Sequence, residues 1–265
     1  MKVYNLIWGF SLGAGIDKCF LTYTGLSDVD RDIDVHSVCV NIENLGTDVT
    51  TLKNKKVEIV NIKKQLDFSW IRKLSESINT VSPDIIFTHG FNGAIMVLLL
   101  RIFKGINVPL ICTYHGLYHS PTNTKKVLEP VYNGLSLGIY KFVAYKVICV
   151  EKMSVEYLMG RGVAKEKLVT VYNGLAPLGS IESVDFVEFG LSNDKLTIMT
   201  VSRISEVKGL RYLLEAISRM KGKTNTPFQY VMVGVGPDLE SLKKMVIDLN
   251  IECYVTFVGF QANVV

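Results

Sequence analysis

The sequence predicts an α/β protein built from two successive units of parallel sheet, and three observations carry that prediction. Short apolar runs of strand length alternate with segments whose apolar residues recur at helical spacing, from Val3 to Val258. Several of the strand-like runs end directly in glycine or histidine, at the position where a parallel sheet opens toward a ligand. The alternation lapses between Leu175 and Asp194 and then restarts, which divides the chain into 1–178 and 179–265.

Composition narrows the class further. With 48% hydrophobic and 20% charged residues, the 265-residue chain can bury a substantial core and is not a disordered segment. The net charge of +4 is mild and gives no reason to expect a nucleic-acid partner. It is unevenly spread: residues 1–178 carry 20 basic against 15 acidic side chains, and residues 179–265 carry 9 against 10. The basic first unit suits an anionic surface or substrate. The five cysteines form no Cys-x-x-Cys pair, so neither a zinc site nor a disulfide framework is indicated, and a reducing cytoplasm is expected. No leader is apparent, because the apolar run after Met1 soon meets Gly9. The most apolar later stretch, Ala94–Leu100, meets Arg101 and Lys104 long before the roughly 20 residues of a membrane span.

In chain order, Val3–Trp8 reads as a buried strand, and a glycine-rich turn from Gly9 through Gly13 to Gly15 leads into a helix over Ile16–Leu26. That order opens a Rossmann-like unit, although the glycines do not match Gly-x-Gly-x-x-Gly. Asp28–Asp34 contains overlapping Asp-x-Asp patterns, yet it precedes a strand, so it reads as a solvated turn and no metal site is predicted. Strands are expected at Val35–Val40, Val57–Val60, Ile85–Thr88, Pro109–Tyr114, Lys146–Val150 and Val169–Tyr172. Helices are expected over Phe68–Val81, Ala94–Phe103, from Lys125 toward Ala144, and ending at Val155–Gly160. Two of these strands lead into His-Gly, which places His89 and His115 on one edge of the sheet as candidate functional side chains; Asn173-Gly174 makes a turn.

In the second unit, strands are expected at Leu196–Thr200, Tyr230–Val233 and Val255–Val258, with helices over Leu210–Met220 and Leu239–Leu249. The loop after Leu196–Thr200 holds Arg203 and Lys208, and Gly209 follows before the helix. Two cations beside a helix N-terminus suit a phosphate-rich ligand. Gly234 and Gly236 form a second turn of the same kind.

Six of these segments together resemble glycosyltransferase family 4, whose two-Rossmann architecture is the GT-B fold. They are Gly9–Gly15, Tyr114-His115-Gly116, Val171-Tyr172-Asn173-Gly174 (tyrosine where the family has proline), Arg203 to Lys208-Gly209, Val233-Gly234-Val235-Gly236-Pro237 and Val255-Thr256-Phe257-Val258-Gly259. The resemblance implies transfer of a sugar from a nucleotide-diphosphate donor, UDP being the commonest, with retention of anomeric configuration. It assigns Arg203 and Lys208 to the leaving diphosphate and His115 to the donor sugar. Gly13, Gly15, Gly209, Gly234 and Gly236 would lie at the donor, with His89 and Asn173 as substrate contacts. No cofactor and no metal is implied. The acceptor would be a saccharide or a lipid-linked one, in surface polysaccharide or glycolipid synthesis, with peripheral contact to the inner face of an anionic membrane. The family also carries a Glu-x7-Glu motif late in its second domain, which these 265 residues do not supply. The resemblance therefore implies an incomplete second domain, whose first strand would be an apolar edge. Two alternatives stay open: a catalytically inactive fragment or binding module, and a nucleotide-sugar epimerase of similar fold.

Overall fold

The computed structural model describes residues 1–10, 15–43, 52, 55–64, 67–116, 129–174 and 186–261. The chain divides into two units, Met1–Leu175 and Ala176–Val265.

In the first unit the apolar runs become seven strands: β1 (Lys2–Trp8), β2 (Asp34–Ile42), β3 (Val57–Ile62), β4 (Ile85–His89), β5 (Leu110–Tyr114), β6 (Lys146–Cys149) and β7 (Leu168–Thr170). They form one sheet of order β3-β2-β1-β4-β5-β6-β7, and every neighbouring pair is parallel. All-parallel strands are covered on both faces, which is why they read as unbroken apolar runs rather than alternating ones. The order reverses between β1 and β4, so the carboxyl ends there form the topological switch point where ligands bind.

The helices are α1 (Gly15–Thr24), α2 (Leu26–Val29), α3 (Ser69–Val81), α4 (Gly90–Lys104), α5 (Glu129–Gly138) and α6 (Lys152–Met159). The single helix expected over Ile16–Leu26 is interrupted at Gly25, a weak helix former, and resumes as the short α2. Helix α5 runs on into a π turn, Ile139–Val143, closed by the Ala144 N–H donating to the Ile139 carbonyl at 2.9 Å. The main core joins Tyr4, Leu6, Val38, Val40, Ile86 and Leu110 to Leu74 and Ile78 of α3 and Val97 and Leu100 of α4. Trp8 meets Trp70 edge to face in this layer, with ring centroids 6.2 Å apart. A smaller core of Ile7, Phe10, Phe20, Cys39 and Leu52 lies against α1.

The second unit has β8 (Leu196–Val201), β9 (Phe228–Val233) and β10 (Val255–Gly259) in the parallel order β10-β9-β8. Its helices are α7 (Leu210–Met220) and α8 (Leu239–Asp248). All six residues of β9 are buried, the mark of a central strand. Strand β8 is an edge among the described residues, and Leu196, Met199 and Val201 on it are exposed. The core of this unit is Ile204, Leu214, Ile217, Tyr230, Met232 and Val246, drawn from the sheet, α7, α8 and the loop after β8. No helix among the described residues is long and apolar enough to cross a membrane.

Candidate functional site

Two groups of predicted residues take shape, one in each unit. In the first, the carboxyl edge of the sheet holds a cavity of about 400 Å³ reached by His115. Its walls include Phe91 of α4, Tyr114 at the end of β5, Asn133, Ser136 and Leu137 of α5, Tyr140 of the π turn, and Tyr157 and Leu158 of α6. Arg161 stands just beyond α6 and also borders the cavity.

His115 is fixed by its neighbour two residues back. The Thr113 hydroxyl donates to the Thr88 carbonyl at 3.3 Å and accepts the Gly90 N–H at 3.3 Å. The same hydroxyl lies 3.0 Å from His115 Nε2, a contact in which the tautomer sets which partner donates. The neutral imidazole carries one N–H and one lone-pair nitrogen. Burial lowers the His115 pKa from its ordinary value, which favours this neutral form.

His89, expected as a substrate contact, sits on the adjacent strand with its ring inside the unit. It is 3% exposed, and its ring packs against Phe20, Tyr23 and Phe87. Its Nε2 is 2.8 Å from Asn5 Oδ1. Asn5 in turn donates to the Phe20 carbonyl and to the Ser37 hydroxyl. His89 is therefore part of the polar lock between β1, β2 and α1, held by burial first and His115 second at a pKa of about 3. Asn173 accepts from the Cys19 thiol of α1 at 3.1 Å, which brings the end of the first unit back to its first helix. Gly15 opens α1 with free space around its α-carbon; Gly13 lies outside the described residues.

In the second unit, Arg203 and Lys208 are exposed in the loop between β8 and α7, and neither meets a carboxylate among the described residues. Glu206–Lys208 form a 3₁₀ turn, and Gly209 takes φ +65° to let the chain enter α7. Its N-cap Gly209 makes no side-chain cap, and the Tyr212 N–H already donates to the Gly209 carbonyl, so an anion there would meet the Leu210 and Arg211 amides. Gly234 and Gly236 have a role that spacing alone did not disclose. The Ser202 N–H donates to the Val233 carbonyl and the Ile204 N–H to the Val235 carbonyl, so the loops after β8 and β9 lie backbone to backbone. A Cβ on Gly234 would collide with the Ser202 carbonyl, and one on Gly236 with that of Ile204. These glycines hold the cation-bearing loop in place.

Among the described residues no group of three His, Cys, Asp or Glu side chains could hold a metal ion. The aspartate-rich run lies at the amino end of β2, with Asp28 near Lys56 and Asp30 accepting the Asp32 N–H. The sequence reading missed Arg161 and the tyrosines beside it, because a single arginine after a helix belongs to no motif.

This is the GT-B arrangement: a seven-stranded parallel unit followed by a second parallel unit with cations after its first strand. Residues 29–177 match the model of Glycosyltransferase Family 4, and residues 182–265 match that of glycosyl transferases group 1. The chain belongs to Glycosyltransferase Family 4 and is a glycosyltransferase. No curated protein matches it in sequence. Among solved structures it is similar to Alr3699/HepE of Anabaena in complex with UDP-glucose, at 16% identity, with 98% of this chain and 69% of that one covered and a TM-score of 0.71. It is also similar to the lipopolysaccharide outer core galactosyltransferase WaaB (20% identity, 98% and 68% covered, TM-score 0.61). A UDP-GlcNAc 2-epimerase from Neisseria meningitidis aligns at 12% identity over 98% and 72%, with a TM-score of 0.59. At these identities the likeness shows the fold.

Proposed function

We propose that the chain moves a sugar from a nucleoside-diphosphate donor, a UDP-sugar, to a saccharide or lipid-linked acceptor with retention at the anomeric carbon. The product would be a surface polysaccharide or glycolipid. The observation that carries this reading is the pair Arg203 and Lys208, two exposed cations without a carboxylate partner among the described residues, at the start of α7. The complex of the Anabaena neighbour with UDP-glucose supports the same donor class.

In the transfer, the bond from the anomeric carbon to the diphosphate oxygen breaks, and its electron pair stays on the diphosphate. The acceptor hydroxyl oxygen bonds to that carbon from the same face and passes its proton to the departing diphosphate oxygen. Charge grows on the diphosphate as it leaves, and Arg203 and Lys208 act there without a metal ion. In this reading Gly209 and the α7 amides lie at the phosphates, while His115 and Asn173 contact the reacting sugar. Gly13 and Gly15 are assigned to the donor on the family resemblance alone. An anionic membrane is the peripheral partner, in keeping with the exposed apolar stripe Val131, Leu135 and Phe142 along α5 and its π turn.

The test is UDP release from a panel of UDP-sugars with acceptor present. Arg203→Ala and Lys208→Ala should each lower turnover about 100-fold, on the order of 3 kcal/mol of transition-state stabilisation. Near-normal turnover in both variants would overturn the assignment. The Neisseria neighbour motivates one second reading, epimerisation. Appearance of an epimerised UDP-sugar without acceptor would favour it over transfer.

A further inference from the structure

We infer that the cavity bounded by α5 and α6 recognises an acceptor that carries a phosphate or carboxylate group, with Arg161 as its anion contact. The word acceptor rests on the transfer reaction proposed above; the anion site itself rests on this cavity.

The guanidinium of Arg161 lies 3.5 Å from the ring centroid of Tyr157. Tyr157 stacks in turn on Tyr114 at 6.3 Å with an interplanar angle of 15°, and Tyr140 meets Tyr114 edge to face at 5.8 Å. This column fixes the plane of the guanidinium against the cavity wall. An arginine stacked in this way keeps the in-plane N–H edges of its fork, which match the two oxygens of a carboxylate or phosphate.

Those edges are almost unused. Among the described residues the Arg161 side chain makes one hydrogen bond, a long one of 3.5 Å from Nη1 to the Tyr157 carbonyl. Among the described residues no carboxylate pairs with it. Glu151 acts on Tyr114 of the column through its charge, and its carboxylate accepts the Ser154 hydroxyl. A second cation stands close by: the Lys141 ammonium lies 3.3 Å from the position a Cβ would take on Gly162. Lys141 thus adds a positive charge beside the residue that follows Arg161.

The rest of the cavity describes the body of the ligand. Phe91, Tyr114, Leu137, Tyr140 and Leu158 give it apolar walls, and His115 adds an imidazole to the lining. A volume of about 400 Å³ falls within the size of small-molecule sites. A ring with an apolar face and one anionic substituent satisfies each of these walls: a sugar phosphate, a lipid-linked sugar diphosphate or a uronic acid. A neutral sugar leaves the guanidinium without a partner.

The probes are phenyl phosphate, methyl glucuronide and uncharged methyl glucoside, titrated calorimetrically into the full chain, with UDP measured alongside. Both charged probes, or one of them, should bind at least about tenfold more tightly than methyl glucoside. Which one does so separates a phosphate-bearing from a carboxylate-bearing source. Arg161→Gln should abolish the preference, Arg161→Lys should keep part of it, and UDP affinity should be the same in all three proteins. Equal binding of charged and neutral probes, or a preference that survives in Arg161→Gln, overturns the inference. If UDP fails to bind while the preference still depends on Arg161, the donor reading fails and the anion site stands.

Discussion

At the scale of single residues, Gly234 and Gly236 tie stability to function most directly. Gly234 adopts φ +137°, and the space its side chain would need is filled by the Ser202 carbonyl. Gly236 lies outside the left-handed region, so its constraint is one of contact, with the Ile204 backbone. Gly209 offers a comparison, because it takes φ +65° but leaves its neighbours at ordinary distances. Gly236→Ala should destabilise the second unit by roughly 2 kcal/mol or more, since a backbone cannot yield as a side chain does. Gly209→Ala should cost about 1 kcal/mol, the usual penalty for a left-handed alanine. Thermal unfolding followed by far-ultraviolet circular dichroism measures both, and equal small shifts would refute the contact argument. The Gly-x-Gly-Pro pattern was visible in the sequence, but its reason was not: two backbones meet only once β8 and β9 are paired. Arg161 was hidden for a related reason, since its meaning comes from Tyr157 four residues earlier and from Tyr114 on another strand.

At the scale of elements, α5 with its π turn works on two sides. Ser136, Leu137 and Tyr140 face the cavity, whereas Val131, Leu135 and Phe142 are exposed, Phe142 at 84%. Lys104 at the end of α4 and Lys146 at the start of β6 add positive charge at the amino edge of the sheet. An apolar stripe with flanking lysines has the composition of an interfacial helix. The full chain should therefore sediment with vesicles rich in phosphatidylglycerol and much less with pure phosphatidylcholine. Phe142→Ser should weaken that binding by about tenfold or more, in line with burial of one aromatic side chain. Equal recovery with both lipids would remove the membrane from the proposed reading. The sequence made the elements themselves legible, because buried parallel strands leave unbroken apolar runs and α3 and α7 keep a clear helical period. It did not show the break at Gly25 or the π turn, which depend on local hydrogen bonding rather than on apolar spacing.

At the scale of the molecule, the buried imidazole of His89 couples acid to folding. Its pKa falls from 6.5 to about 3 in the folded chain. Between those values the unfolded chain binds a proton that the folded chain refuses. The stability is complete above pH 6.5 and is lost as the pH falls toward 3, at about 1.4 kcal/mol per pH unit for one proton. His115, also lowered, acts with the same sign. Glu58 and Asp67 are held below their usual values and titrate further down, so they leave the upper part of this window clear. Urea denaturation at about pH 7.5 and about pH 5.5 should show a loss on the order of 1 kcal/mol, and His89→Gln should reduce it. A wild-type stability that stays flat across this range would contradict the linkage.

The edge-to-face pair Trp8 and Trp70 gives the protein an optical label. These are the two tryptophans of the whole chain, and both belong to the first unit. Excitation at the red edge of the protein spectrum therefore addresses the seven-stranded unit alone, while circular dichroism sums both. Acid unfolding of the His89 lock will shift that emission. The damage done by Gly236→Ala will appear in the dichroism and leave the tryptophan signal to the other half of the chain.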